Sequence, residues 1–282
     1  MIAIMYLLAL LVIGVAAGFV GSLTGLGGAV IIMPALSLFL NVPIEHATGA
    51  ALVATIATSS GAAAAYVKDK ISNVRIGMSL EIGTTLGAIV GALLAAFVYS
   101  HNLSFIIFIL FGVVVLLSVY PTLKKQDLIK RIKPDASTMI FQMHGSYYDR
   151  AEKKIIRYDG VRWWLGEGVM YIAGLISGLL GVGSGVLKVL AMDSVMKLPV
   201  KVSTATSDFM IGVTAVTGSA IYWSLGYIVP SLVAPVIVGV IIGAYFGSEK
   251  MESVHKERLR KIFTIVLVVV AVEMMLRGIG VT

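Results

Sequence analysis

The sequence contains no cysteine, and only 13% of its 282 residues are charged. The lack of cysteine excludes disulfide bonds, thiolate metal sites and a cysteine nucleophile. The low charge excludes an ordinary soluble domain, in which about a quarter of residues are charged. Residues 1–44 and 209–248 contain no Asp, Glu, Lys, Arg or His, and each run exceeds the roughly 20 residues that cross a bilayer as a helix. The chain is therefore expected to span a membrane.

The residues that replace charge are apolar: 58% are hydrophobic, and the mean hydropathy is +0.97. Hydropathy predicts ten helical segments, near residues 5–24, 26–40, 47–67, 76–99, 103–121, 163–180, 182–196, 203–223, 228–247 and 261–278. The second and seventh segments would rise only about 22 Å, less than the hydrocarbon core of roughly 30 Å. We expect these two to be re-entrant half-helices. The first segment lacks a basic start and a cleavage site, so we expect it to be a retained span.

A shift of 156 residues aligns the first part of the chain with the last part without a gap. It pairs Gly18 with Gly174, Gly25 with Gly181, Gly27 with Gly183, Pro43 with Pro199, Thr48 with Thr204 and Tyr66 with Tyr222. A glycine ladder repeats too, with Gly83, Gly87 and Gly91 matching Gly239, Gly243 and Gly247. The sequence predicts a duplication: a first transmembrane repeat at 1–121, a linker at 122–162 and a second repeat at 163–282.

Loop charge predicts how the repeats lie in the membrane. The formal net charge is +7, and the basic residues concentrate in loops, above all in 121–162, which favours a cytoplasmic linker over nucleic-acid binding. Counting spans from there places the Pro43 loop outside, its partner Pro199 inside, and both termini outside, which is typical of inverted-topology repeats. We expect an all-α polytopic membrane protein, each repeat having a Gly-broken helical hairpin followed by three transmembrane helices.

The linker itself contains MIFQMHGSYYDRAEKKIIRYDG, two short runs of β-forming residues around a polar turn. This pattern predicts a small β-hairpin. A solvated connector between the repeats is the simpler interpretation, and a regulatory or partner-binding role is the alternative.

Glycines mark the tip of each predicted hairpin. These tips contain Gly25, Gly27 and Gly28 in the first repeat and Gly181, Gly183, Ser184 and Gly185 in the second. Glycine allows the helix to break, and a broken helix within a membrane is tolerated where it is buried in protein or lines a watery cavity. The free N–H groups of a half-helix N-terminus favour an anion. Glycine also serves close helix packing, but the paired occurrence favours a binding site.

Hydroxyl residues follow each tip at repeat-related positions, and they could donate hydrogen bonds to an oxyanion. The candidates are Thr48, Ser203, Thr204, Thr206 and Ser207. A hydroxyl in a helix can instead bond its own backbone carbonyl, so each of them has a purely structural alternative.

Lys188 and Asp208 are the most costly residues in the sequence, because each lies within an apolar segment. They could pair with each other. Lys188 is a candidate counter-charge for the substrate, and Asp208 a candidate proton-coupling carboxylate or ion-pair partner. We expect Glu81 and Glu273, near segment ends, to be more easily solvated and to serve as anchors or local pairs.

The stretches GFVGSLTGLGGAVIIMPAL and GLISGLLGVGSGVLKVLAM resemble the TauE/SafE sulfite exporter family over nearly all of both repeats. The resemblance implies a permease for sulfite, thiosulfate, sulfonates and related anions. It also implies that Gly25, Gly27, Gly28, Gly181, Gly183 and Ser184 border the anion path. The chain departs from the family pattern at Ser184, at Lys188 and at Leu190, where the first repeat has Pro34.

These observations predict a secondary transporter of a small sulfur oxyanion or organosulfonate, working by alternating access and coupled to H⁺ or Na⁺. An anion channel is one alternative, and a membrane sensor or assembly protein that signals through the linker is another. No catalytic set is recognisable, so we expect neither an enzyme nor a bound cofactor or metal. The direction of transport and the oligomeric state do not follow from the sequence.

Overall fold

A computed structural model describes residues 2–24, 28–68, 70–123, 134–149, 153–250 and 256–280, which are mostly helical. The first repeat contains α1 (Ile2–Thr24), α2 (Ala29–Pro34), α3 (Ile44–Lys68), α4 (Val74–Ser100) and α5 (Ser104–Leu123). The linker contains α6 (Ala136–Ile140), β1 (His144–Asp149) and β2 (Lys154–Asp159). The second repeat contains α7 (Trp163–Leu180), α8 (Gly185–Leu190), α9 (Val200–Ser224), α10 (Pro230–Lys250) and α11 (Lys256–Ile279).

All ten segments predicted from hydropathy are confirmed as helical. Within the described ranges, three helices are both long and apolar enough to cross a membrane: Ile4–Ser22, Val74–Ser100 and Trp163–Leu180. Shorter apolar helices span Ala29–Phe39, Ser104–Val119 and Pro230–Phe246. Helices α3 and α9 have 25 residues each, and the hydroxyl residues that they carry lower their mean hydropathy.

The two short helices are built alike. Helix α2 continues into a π-helical turn, Ala35–Phe39, and α8 continues into another, Ala191–Val195. Each continuous run rises about 16 Å, roughly half of the hydrocarbon core. The first transition follows Pro34, which cannot donate a backbone hydrogen bond. The second follows Leu190, so a proline is not required for this geometry.

The duplication extends to the element boundaries. Shifted by 156 residues, α2, its π-helical turn and α3 coincide at both ends with α8, its π-helical turn and α9. The residue before each short helix, Gly28 or Ser184, has a left-handed backbone conformation. Local sequence in both repeats therefore encodes the same breaks.

Helices of one repeat pack against non-equivalent helices of the other: α1 against α10, and α4 against α7. Glycines permit the close approach, because a Cβ at Gly14 or Gly18 would overlap α10, and one at Gly87 or Gly91 would overlap α7. Gly14 meets Val236 and Gly18 meets Val240, so α1 and α10 run in the same direction. Contacts of Gly87 with Tyr171 and of Gly91 with Leu175 give α4 and α7 the same relation.

Equivalent helices cross in opposite directions. In the α3–α9 pair, Leu52 contacts Gly218 while the later Ser59 contacts the earlier Gly212. In the α5–α11 pair, Ile109 contacts Gly278, and Gly112 contacts Met275. Both pairs are therefore antiparallel.

The linker forms an antiparallel hairpin in which Tyr147 pairs with Ile156. It is packed on the helices and is not a solvated connector, because Tyr147 and Tyr158 are buried in a shared core with Ile76, Trp163 and Leu198. Asn73 Nδ2 donates to the Tyr158 hydroxyl at 3.0 Å. Lys201 Nζ lies 2.7 Å from Asp149 Oδ1. The hairpin thus contacts both repeats.

Candidate functional site

The described hairpin tips converge on α3. A Cβ at Gly28 would lie 3.4 Å from the Thr58 methyl group, one at Gly181 2.6 Å from the Thr48 methyl group, and one at Gly183 3.3 Å from the Thr55 methyl group. All three glycines have positive φ, which disfavours any side chain. Gly25 and Gly27 lie outside the described residues. The glycines therefore bring both chain breaks against one helix.

The N-terminus of α8 contains a buried hydroxyl. Ser184 is 6% exposed, and its Oγ has no hydrogen-bond partner among the described residues. The backbone N–H groups of Gly185, Val186 and Leu187 belong to the first helical turn, where no preceding carbonyl is available within the helix. A cavity of about 30 Å³ is lined by Ser184, these three residues, Val182, Ser118 of α5 and apolar groups of α2, α5, α7 and α11. It has room for about one water molecule.

The hydroxyl residues of α9 that were predicted to line the site contact different helices. Ser207 Oγ donates to Gly185 O at 3.2 Å, so it lies against the start of α8. Thr206 Oγ1 instead accepts a hydrogen bond of 3.0 Å from Asn73 N, at the start of α4. Ser203 is fully buried, and its Oγ lacks a hydrogen-bond partner in the described part of the chain. Thr204 is only half-buried.

Thr48 lies at the other end of α3. Its Oγ1 donates to Ile44 O at 2.7 Å and lies 3.3 Å from the Tyr99 hydroxyl. The ring of Tyr99 contacts Tyr222 and Tyr227 edge to face, with centroids 6.4 and 5.5 Å away. Three tyrosine rings therefore pack together at this end of the α3–α9 pair, beside the contact of Thr48 with Gly181.

Lys188 is completely buried, and it pairs with Glu81. Lys188 Nζ lies 3.8 Å from Glu81 Oε2 and donates a hydrogen bond to Thr214 Oγ1. Thr214 Oγ1 in turn lies 2.6 Å from Glu81 Oε1. The sequence-based pairing of Lys188 with Asp208 is thus wrong, because α4 approaches Lys188 and supplies the carboxylate.

Asp208 is 3% exposed, and its Oδ2 has no hydrogen-bond partner in the residues that the structure describes. Its backbone carbonyl accepts a hydrogen bond from Ser59 Oγ across the α3–α9 contact. Asp208 is therefore a buried carboxylic group beside the central helix pair, separate from the Lys188 pair.

Glu81 was expected to be solvated, and its 4% exposure corrects that expectation. The signal that identifies it is the stripe of small residues on α4: Gly77, Thr84 and Ala88 are buried on the face that also carries Glu81. Such a stripe faces a neighbouring helix in membrane proteins. A carboxylate within it is therefore expected to be buried too.

The charged cluster has no equivalent in the other repeat. The counterparts of Lys188, Glu81 and Asp208 are Ile32, Ile237 and Leu52, whereas Thr214 retains a counterpart in Thr58. Ile32 and Leu52 are fully buried. The duplicated scaffold therefore carries its ionic groups once.

The family model for the sulfite exporter TauE/SafE matches residues 10–274. The chain is 29% identical to the probable membrane transporter protein YunE of Bacillus subtilis (strain 168), with 96% of this chain and 97% of that protein covered. It is 25% identical to the probable membrane transporter protein YdhB of the same organism, with 86% and 88% covered. No solved structure matches the chain. With its Gly-broken helices and near-complete coverage by the family model, this chain belongs to the TauE/SafE sulfite exporter family.

Proposed function

We propose that this membrane transporter carries a small sulfur anion, a sulfur oxyanion or organosulfonate, across the cell membrane by alternating access. The observation that carries the proposal is Lys188, a fully buried cation one helical turn after Ser184, whose buried hydroxyl has no hydrogen-bond partner among the described residues. Residues four apart lie on the same helix face. Lys188, the Ser184 hydroxyl and the N–H groups of the first turn of α8 therefore lie within about one helical turn of one another along the chain.

The chemistry of that start suits an oxyanion. Backbone N–H groups and Ser184 Oγ can donate to sulfur-bound oxygens, and Lys188 can offset the negative charge. Ser207, bonded to Gly185 O, supports the turn from α9. The family description supplies the sulfur chemistry. Because the adjoining cavity has room for about one water, an oxyanion must widen it on binding.

The directions of the helices support inverted repeats. If the two repeats had the same orientation, α7 would be parallel to α1 and therefore antiparallel to α4. The contacts of α4 with α7 are parallel, and those of α3 with α9 are antiparallel, as inversion requires. With the basic linker at 122–162 in the cytoplasm and both termini outside, the tyrosine cluster closes the outer end of the site. The linker hairpin covers the cytoplasmic end.

The test is binding and flux of sulfite, thiosulfate and methanesulfonate with purified protein in proteoliposomes. Wild type should show saturable binding and flux of at least one anion. Ser184→Ala and Lys188→Ala should each reduce flux at least tenfold, whereas Ser224→Ala, at the exposed end of α9, should not. Absence of binding for all three anions contradicts the proposal, and flux that does not saturate indicates a channel.

A membrane sensor is the second candidate, and the docked hairpin is the observation that favours it. Its Asp149–Lys201 ion pair and its shared core with α4 and α7 could couple helix movement to a cytoplasmic partner. Deleting the hairpin would expose that core, so Lys201→Met is the cleaner perturbation. If the protein is a sensor, Lys201→Met should abolish its output. If it is a transporter, anion flux should persist in this variant.

A further inference from the structure

Helices α4, α8 and α9 bury one cation and two carboxylic groups, and Asp208 lies apart from the Lys188–Glu81 pair. Lys188 is 0% exposed, Glu81 4% and Asp208 3%. An ionised group without a partner is costly to bury. Lys188 lies beside Glu81, whereas Asp208 has no cationic partner among the described residues.

Glu81 depends on Lys188 for its charge. Its Oε1 has the Thr214 hydroxyl at 2.6 Å, but its Oε2 has no hydrogen-bond partner in the described ranges, and it faces Lys188 Nζ at 3.8 Å. On its own helix, Thr85 contributes a long contact of 3.5 Å, and the Thr84 side chain is a further hydrogen-bonding neighbour. Anything that draws the ammonium group away therefore leaves a buried carboxylate without compensation.

A bound anion would do this, because it competes with Glu81 for the single cation. We propose that Glu81 takes up one proton when the anion binds at Lys188, so that the anion and a proton cross the membrane together. This inference rests on the proposed function. Before binding, the Lys188 and Glu81 charges cancel. After binding of a monoanion, protonated Glu81 is neutral, and Lys188 and the anion cancel.

The groups packed around Glu81 agree with this assignment. Helix α8 presents Lys188 and α9 presents Thr214, with Asp208 further along the same helix. Helix α7 presents Glu167, half-buried against Gly83, where a Cβ would lie 2.7 Å from its Oε1. Glu167 therefore adds negative charge near Glu81.

The duplication explains why the coupling occurs once. At the equivalent place in the other repeat, Ile32 and Ile237 replace Lys188 and Glu81. Neither can bind a proton. One anion site and one proton site therefore operate in each transport cycle.

The experiment uses methanesulfonate and thiosulfate, whose charges do not change between pH 5 and 8, so pH effects belong to the protein. In wild-type proteoliposomes, an inward gradient of one pH unit should accumulate methanesulfonate up to about tenfold. Glu81→Gln should abolish this accumulation. It should also remove the pH dependence of anion exchange measured with the same anion concentration inside and outside the proteoliposomes. Glu167→Gln, the matched control, should still accumulate.

A second measurement requires no variant. Adding methanesulfonate to weakly buffered wild-type protein should remove about one proton per bound anion from solution. Accumulation that survives in Glu81→Gln, accumulation lost only in Asp208→Asn, or anion binding without proton uptake each overturns the inference. Absence of exchange in wild type overturns the proposed function itself, so the two failures are distinguishable.

Discussion

Replacing Lys188 with methionine tests the buried ion pair directly. Methionine preserves much of the volume but leaves Glu81 buried without its cation. At the 3.8 Å separation of the charged atoms, Coulomb's law with an effective dielectric constant of about 20 gives roughly 4 kcal/mol. Removing one partner of a buried pair typically costs about 3–5 kcal/mol. We therefore expect the midpoint of thermal unfolding in detergent to fall by about 6 °C or more.

The double variant Lys188→Met/Glu81→Gln separates pairing from packing. If the charges compensate each other, the double variant should recover much of the loss, with a coupling of at least about 1 kcal/mol. Lys197→Met, which removes an exposed lysine from the neighbouring loop, should change the midpoint by less than about 2 °C. A double variant whose loss equals the sum of the single losses would refute the pairing.

Three further predictions concern packing and the linker. Gly87→Ala should destabilise the protein by about 1–3 kcal/mol, because the added Cβ overlaps Tyr171 O; Gly168→Ala, with open space around it, should be neutral or stabilising in the same thermal assay. Burial raises the pKa of Asp135, but the hydrogen bonds from Ser137, Arg162 N and Thr138 lower it by more. The pKa of Asp135 therefore lies below its usual value of 3.8. The ionised Asp135 carboxylate should stabilise the protein at neutral pH, and this effect should be lost as the pH falls below about 4. Asp135→Ala should lower the local stability of α6 by about 1 kcal/mol, measured as faster amide exchange in that helix. Lys201→Met should lower the stability of the protein by no more than about 1 kcal/mol, since Lys201 is half-exposed. Any increase in amide exchange should be confined to β1 and β2.

The helices and the duplication could be predicted because their signals are local. Hydropathy depends on the composition of each segment, and the offset of 156 residues is visible in the glycines alone. The breaks at Gly28 and Ser184 follow from short sequence motifs that fix a left-handed residue before each half-helix. The π-helical turns were not predicted, since Leu190 shares the geometry of Pro34 and no residue type marks it.

The partner of Lys188 could not be predicted from sequence position. Asp208 was a possible partner because it too lies within an apolar segment, yet Glu81, 107 positions away, is the residue that reaches Lys188, through the packing of α4 against α9. Contacts between helices of different repeats depend on the whole bundle. A pattern within one segment does not encode them, although the small-residue stripe on α4 does indicate that Glu81 is buried.

The placement of the charges within the duplicated scaffold has a consequence for transport. Inverted repeats exchange conformations between their halves, so a symmetric pair of sites would bind ligand equally on both faces. In this chain both short helices follow a left-handed residue, but α8 carries a cation where α2 has Ile32, and α4 supplies the carboxylate beside that cation. In the proposed cycle, moving one half against the other changes the surroundings of a single ionic pair, and we expect that asymmetry to let a proton bind on one side and leave on the other.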